Sequence, residues 1–130
     1  MLIYTSFVTI LVSAYYLGVG LLVGKARQKF GISAPLMTGA PEVERALRVQ
    51  ANAVEFAPIV FPALWLAAYW TSDVYAALLG LVWVIGRIIY AKTYMDAANK
   101  RTLGFMIQMT ATAVLWLMAL GGIVMKLVHG

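Results

Sequence analysis

Four long apolar tracts, separated by short polar breaks, make up most of the chain. Residues 1–24 and 102–125 contain no charged side chain, residues 49–72 contain only Glu55, and residues 74–91 contain only Arg87. A bilayer-spanning helix needs about 20 apolar residues. The pattern therefore predicts an all-α integral membrane protein with transmembrane helices at about 3–24, 41–70, 74–95 and 102–127, forming one domain over 1–130. The connections are short, which favours an up-down-up-down bundle. Pro41, Glu42 and Glu44 mark the second helix start: proline suits the first turn, and acids suit the positive end of the helix dipole. Pro58 and Pro62 lie inside that helix and predict a bend. The stretch 25–40, with Ser33, Pro35 and Gly39, reads as an irregular loop.

Composition strengthens this reading. The chain is 63% hydrophobic and only 12% charged, more apolar surface than a soluble domain of this length could hide. The first tract lacks a basic leading region, and its apolar run is too long for a cleaved signal core, so a permanent first helix is expected. Lys25, Arg27, Lys29, Arg45 and Arg48 follow the first helix, Lys92, Lys100 and Arg101 lie between the third and fourth, and the break at Thr71-Ser72-Asp73 carries no basic residue. The positive-inside rule then sends both basic connections to the cytoplasm and both termini away from it. The net charge of +5 is mostly topological; no basic stripe interleaved with aromatics suggests a nucleic-acid partner. There is no cysteine, and the single histidine is His129, so neither a disulfide nor a metal site is expected. Any sulfur chemistry must use sulfur brought by a ligand. A proton-coupled exporter would be expected to carry an acid in its first helix, and residues 1–24 have none.

The informative residues are the polar ones inside the apolar tracts. At 100° per residue, Asn52 lies about 40° and Glu55 about 20° from Arg48, so the three share one helix face over roughly 10 Å. The third helix repeats the device with Arg87, Tyr90 and Tyr94, and Arg101 follows seven residues later. Antiparallel helices would put Glu55 and Arg87 at similar depth, where they could form an ion pair with Asn52 as further hydrogen-bonding glue. Arg48, Tyr94 and Arg101 would gather nearer the cytoplasmic edge. Ionisable groups within a membrane point to a functional site. Guanidinium groups, one carboxylate and phenols together suit a small ligand that is anionic overall and carries an ammonium. Gln50 points the opposite way from Arg48, either packing or serving a neighbouring subunit. Gly20 and Gly24 form a G-x-x-x-G spacing that permits close helix approach.

These residues carry a resemblance. The chain resembles the MAPEG family, the membrane-associated proteins of eicosanoid and glutathione metabolism, and looks most like the branch of leukotriene-C synthase and the type 2 and type 3 microsomal glutathione transferases. The similarity begins at S-A-P-L-M-T-G-A-P-E-V-E-R, Ser33 to Arg45, and continues through R-V-Q-A-N-A-V-E-F-A-P, Arg48 to Pro58. It resumes at G-R-I-I-Y-A-K-T-Y, Gly86 to Tyr94, with Arg101 downstream.

The resemblance implies a homotrimer that binds glutathione between adjacent protomers at the cytoplasmic side and uses it as a co-substrate in detoxification. Its thiolate would attack a lipophilic electrophile arriving from membrane lipid, and could also reduce lipid hydroperoxides. By the same resemblance, Arg48 and Asn52 would hold carboxylate or backbone groups, Glu55 the ammonium, and Tyr90 and Tyr94 would donate hydrogen bonds. Arg87 and Phe56 belong to the same matched positions. Arg27 and Gln50 would come from the neighbouring protomer, and Arg101 would activate the thiol. Gln28 and Phe56 stand where leukotriene-C synthase has an arginine and a tyrosine, which argues against carrying over the same lipid substrate. A non-catalytic lipid-binding scaffold, also found in the family, is the alternative; that scaffold departs from the Arg48, Asn52, Glu55 signature retained here. The resemblance leaves open whether the membrane is a bacterial inner membrane or the endoplasmic reticulum.

Overall fold

The computed structural model describes all 130 residues. It contains α1 (Ile3–Phe30), α2 (Pro41–Trp70), α3 (Asp73–Asp96), a 3₁₀ turn (Ala98–Lys100) and α4 (Thr102–His129). All four helices are long and apolar enough to cross a membrane. The chain is an integral membrane protein whose interior and exterior are both apolar. Val8, Val12, Leu64, Trp83 and Leu115 fill the core, while Phe7, Ile10, Leu17, Leu21, Ile85 and Trp116 face outward. Lipid or the apolar faces of other membrane helices can cover that outer layer, and water cannot without large cost.

Local chemistry sets the helix ends. Pro41 is the first residue of α2, with Glu42 and Glu44 in the first turn. Ser72 caps α3 by accepting from the Tyr75 N–H at 3.2 Å, as a short hydroxyl does at a helix start. α1 runs about two turns past the expected end at residue 24. The Lys25–Lys29 stretch lies beyond the apolar tract, but its residues favour helix and its cations suit the negative helix end. The helix stops at Gly31, which takes the left-handed conformation at φ 65°, the usual glycine solution to a C-terminus. α2 stays helical through Pro58 and Pro62.

Two devices hold the bundle in register. Glycines let helices touch backbone to backbone. A β-carbon on Gly86 would lie 2.8 Å from the Gln108 nitrogen, and one on Gly104 2.7 Å from the Gly86 oxygen, so α3 and α4 meet at van der Waals limits. The Gly20–Gly24 pair plays no such part within the protomer: nothing lies within 4 Å of a β-carbon at Gly24, and only the Gln50 side chain lies near Gly20. Asp73 supplies the second device. At the start of α3, its carboxylate accepts from the Tyr4 and Thr5 N–H groups at 3.0 and 2.9 Å. An acid from one helix thereby caps another that has no side-chain cap of its own. Asp73→Ala is expected to lower the thermal midpoint in detergent by a few degrees, and Asp73→Asn, which keeps one acceptor oxygen, by less. Identical midpoints for all three proteins would remove the clamp.

Candidate functional site

At the end of the bundle that carries the basic connections, α2, α3 and the start of α4 enclose a cavity of about 460 Å³. Its walls are Arg48 and Asn52 from α2, Tyr90 and Tyr94 from α3, and Arg101, Thr102 and Phe105 from the junction into α4. Five residues singled out on the sequence, Arg48, Asn52, Tyr90, Tyr94 and Arg101, therefore meet in one space. The volume lies in the range of small-molecule sites.

Helical spacing explains the convergence. Arg48 and Asn52 are one turn apart on α2, and Tyr90 and Tyr94 one turn apart on α3. The close α3–α4 contact at Gly86 and Gly104 brings Arg101 and Thr102 against the tyrosines. The Arg101 guanidinium donates to the Ala98 carbonyl at 3.0 Å, which ties it to the 3₁₀ turn. No side chain caps the start of α4. Its first N–H groups and the positive end of its dipole thus adjoin the cavity, together with two guanidinium groups. The lining has no carboxylate, so the field inside favours an anion.

The other expected residues lie outside these walls. Glu55 pairs with Arg48 at 3.2 Å, both side chains being more than half exposed. It does not pair with Arg87, as similar depth suggested. Arg87 is fully buried behind the cavity and donates instead to Asn52 Oδ1 at 2.6 Å, to the Tyr15 hydroxyl at 3.2 Å and to the Val49 carbonyl. Phe56 stands behind the wall with its ring edge-on to Phe105, centroids 6.2 Å apart. Gln50 lies beside Gly20 of α1. Arg27 donates to the carbonyls of Ile32 and Leu36 in its own loop.

Three contributors escaped the sequence reading. Thr102 and Phe105 line the cavity, and Tyr15 anchors Arg87 from α1. Thr102 carried a usable signal, since it adjoins Arg101 at a helix start. Tyr15 carried none, because one tyrosine in an apolar tract is indistinguishable from packing.

The sequence profile of the MAPEG family matches residues 5–121. The chain belongs to the MAPEG family. Among similar members, an uncharacterized protein of Synechocystis is 40% identical over 126 residues, covering 97% of this chain and 92% of that relative. Human microsomal glutathione S-transferase 2 is 45% identical over 103 residues, 79% of this chain and 70% of the relative. Bovine leukotriene C4 synthase is 39% identical over 92 residues, 71% of this chain and 59% of its own length. The family match spans all four helices, so the MAPEG assignment covers every element that builds the cavity.

The glycine contact beneath the cavity generates a prediction for this MAPEG protein. Gly104→Ala overpacks the α3–α4 seam against the Tyr90 backbone, at a cost of about 1–3 kcal/mol. Gly121→Ala meets open space and is expected to leave stability unchanged or raise it slightly. Thermal unfolding of both variants in one detergent checks the contrast; equal midpoints would show that the seam has slack.

Proposed function

We propose that the chain is a membrane-bound glutathione transferase that binds glutathione in the cavity and directs its thiolate at lipophilic electrophiles. One observation carries the reading: Arg48, Asn52, Tyr90, Tyr94 and Arg101 surround a single polar cavity at a membrane-protein edge. Glutathione has two carboxylates, one ammonium and one thiol, and so is a net anion. Arg48 and Asn52 hold its carboxylate or backbone groups, and the two tyrosines donate hydrogen bonds. Glu55, paired with Arg48 outside the cavity walls, accepts the ammonium. The similarity to microsomal glutathione S-transferase 2 supports the same conclusion, as does retention of the full Arg48, Asn52, Glu55 set over a scaffold role.

The chemistry needs a thiolate. A free thiol with pKa about 8.5 is only a few per cent ionised near neutral pH. Arg101 and the uncapped start of α4 place fixed positive charge at the cavity wall. The thiol proton passes to water. The thiolate then forms a new C–S bond as the carbon–leaving-group bond breaks: a halide departs as the free anion with the bonding pair, whereas the oxygen of an opened strained ring takes a proton from water. Arg101 remains charged throughout. We further propose that the active assembly is a homotrimer with the cavity facing the cytoplasm, and that Arg27 and Gln50 reach the site of an adjacent protomer. Gln50's position away from its own cavity supports that part.

Removing Arg101 should be read through pH. If Arg101 lowers the thiol pKa by two units, Arg101→Ala reduces conjugation of a generic aryl halide by about 25-fold near pH 7. The deficit should shrink as the pH rises through the two units below the free-thiol pKa of about 8.5 and be nearly gone above it. Parent and variant rates that match at every pH would defeat the role. A parent protein that takes up no glutathione in detergent calorimetry would favour the scaffold reading.

A further inference from the structure

Arg87 cannot touch a ligand in the cavity, since it is fully buried and absent from the walls. Yet it touches two residues that form those walls. Its guanidinium donates to Asn52 Oδ1 at 2.6 Å, and its central carbon stacks 4.3 Å from the Tyr90 ring centre. Two further bonds fix its orientation: one to the Tyr15 hydroxyl on α1 and one to the Val49 carbonyl, one turn before Asn52 on α2. None of these partners is a carboxylate.

We propose that Arg87 is a positioning residue that orients the Asn52 amide, so that its two N–H donors, and not its carbonyl, face the bound ligand. Guanidinium is a donor without any acceptor. An asparagine packed against it must therefore turn its oxygen inward, which leaves the amino group for the cavity that Asn52 lines. A donor pair offered there suits a carboxylate or peptide carbonyl. A free asparagine would sample both faces and lose part of that preference. The inference rests on the glutathione reading and adds a named cause for the affinity of one wall. It also gives a second role to a buried charge without an acidic partner: the field of Arg87 adds to those of Arg48 and Arg101 across the Asn52–Tyr90 wall.

The test uses the full-length protein in detergent, with glutathione as the ligand in calorimetry and in steady-state kinetics. Asn52→Asp keeps the shape but replaces the donors with an acceptor, and it gives Arg87 a carboxylate partner. It should keep or raise the thermal midpoint while weakening glutathione at least about tenfold, the effect of a mismatched hydrogen bond to a charged group. Arg87→Gln removes the charge and offers an acceptor as well as donors, so it no longer dictates which way Asn52 turns. It should raise KM for glutathione by a similar factor with kcat within about twofold, since thiol activation by Arg101 is untouched. Arg87→Lys, still a donor without an acceptor, should recover part of the lost affinity. A merely structural Arg87 would lower the midpoint in both Arg87 variants and leave KM unchanged, and that result would overturn the proposal. So would Asn52→Asp binding glutathione as the parent does, a measurement that stands even if an Arg87 variant fails to fold. Failure of the parent itself to bind glutathione would instead overturn the functional reading beneath it.

Discussion

A guanidinium buried among membrane helices is the constraint around which the bundle is arranged. Placing an arginine at the centre of a membrane helix costs roughly 2.5–3.5 kcal/mol on insertion scales. Here that cost is offset by hydrogen bonds to Tyr15 of α1 and to Asn52 and Val49 of α2, and by the faces of Tyr15, Trp83 and Tyr90 around the charge. Desolvated contacts of a cation with aromatic faces contribute about 2 kcal/mol when well placed. The bonds have a geometric consequence beyond their energy. They lock the rotation and depth of α1, α2 and α3 relative to one another, because a planar donor fork tolerates little misalignment.

The cavity wall inherits that precision. Asn52 and Tyr90 are direct neighbours of Arg87 and direct neighbours of the cavity. The fourth helix is aligned differently, by the bare backbones of Gly86 and Gly104, which seat the α4 start next to the tyrosines. Rigid packing thus delivers Arg101 and the uncapped start of α4 to one side of the space, with Asn52 on the other. In the proposed function, an ionised sulfur held there would meet electrostatics fixed before the ligand arrives. A two-unit lowering of a thiol pKa corresponds to roughly 2.7 kcal/mol, within reach of a guanidinium and a helix end acting together.

The Arg48–Glu55 pair behaves differently from Arg87. It is short and lies on the surface of the protomer, not among its own packed helices. In the proposed site, a ligand carrying both a carboxylate and an ammonium would exchange with it, each group meeting the opposite charge already present beside the cavity. The buried arginine sits behind the cavity wall, and the surface one lines the cavity itself. This division also agrees with the apolar exterior: a lipophilic electrophile can approach through the surrounding bilayer while the charged co-substrate approaches from water.

Much of this was legible in the chain before folding was considered. Apolar run length determined four spanning helices, and the distribution of Lys and Arg determined which end carries the basic connections, because both depend only on solvation of residues in order. Helical periodicity placed Arg48 with Asn52, and Tyr90 with Tyr94, on common faces. It could not say how one helix is turned against the next, so it could not choose between Arg87 and Arg48 as the partner of Glu55. Tertiary packing made that choice: the α1–α3 interface encloses Arg87 beside Tyr15, whereas Glu55 and Arg48 remain at the surface. The sequence alone determined which chemical groups were available and on which helix faces. Only the tertiary structure decided which of them became wall, support or lip, because relative rotation and depth arise from close contacts between distant residues and leave no local period to read.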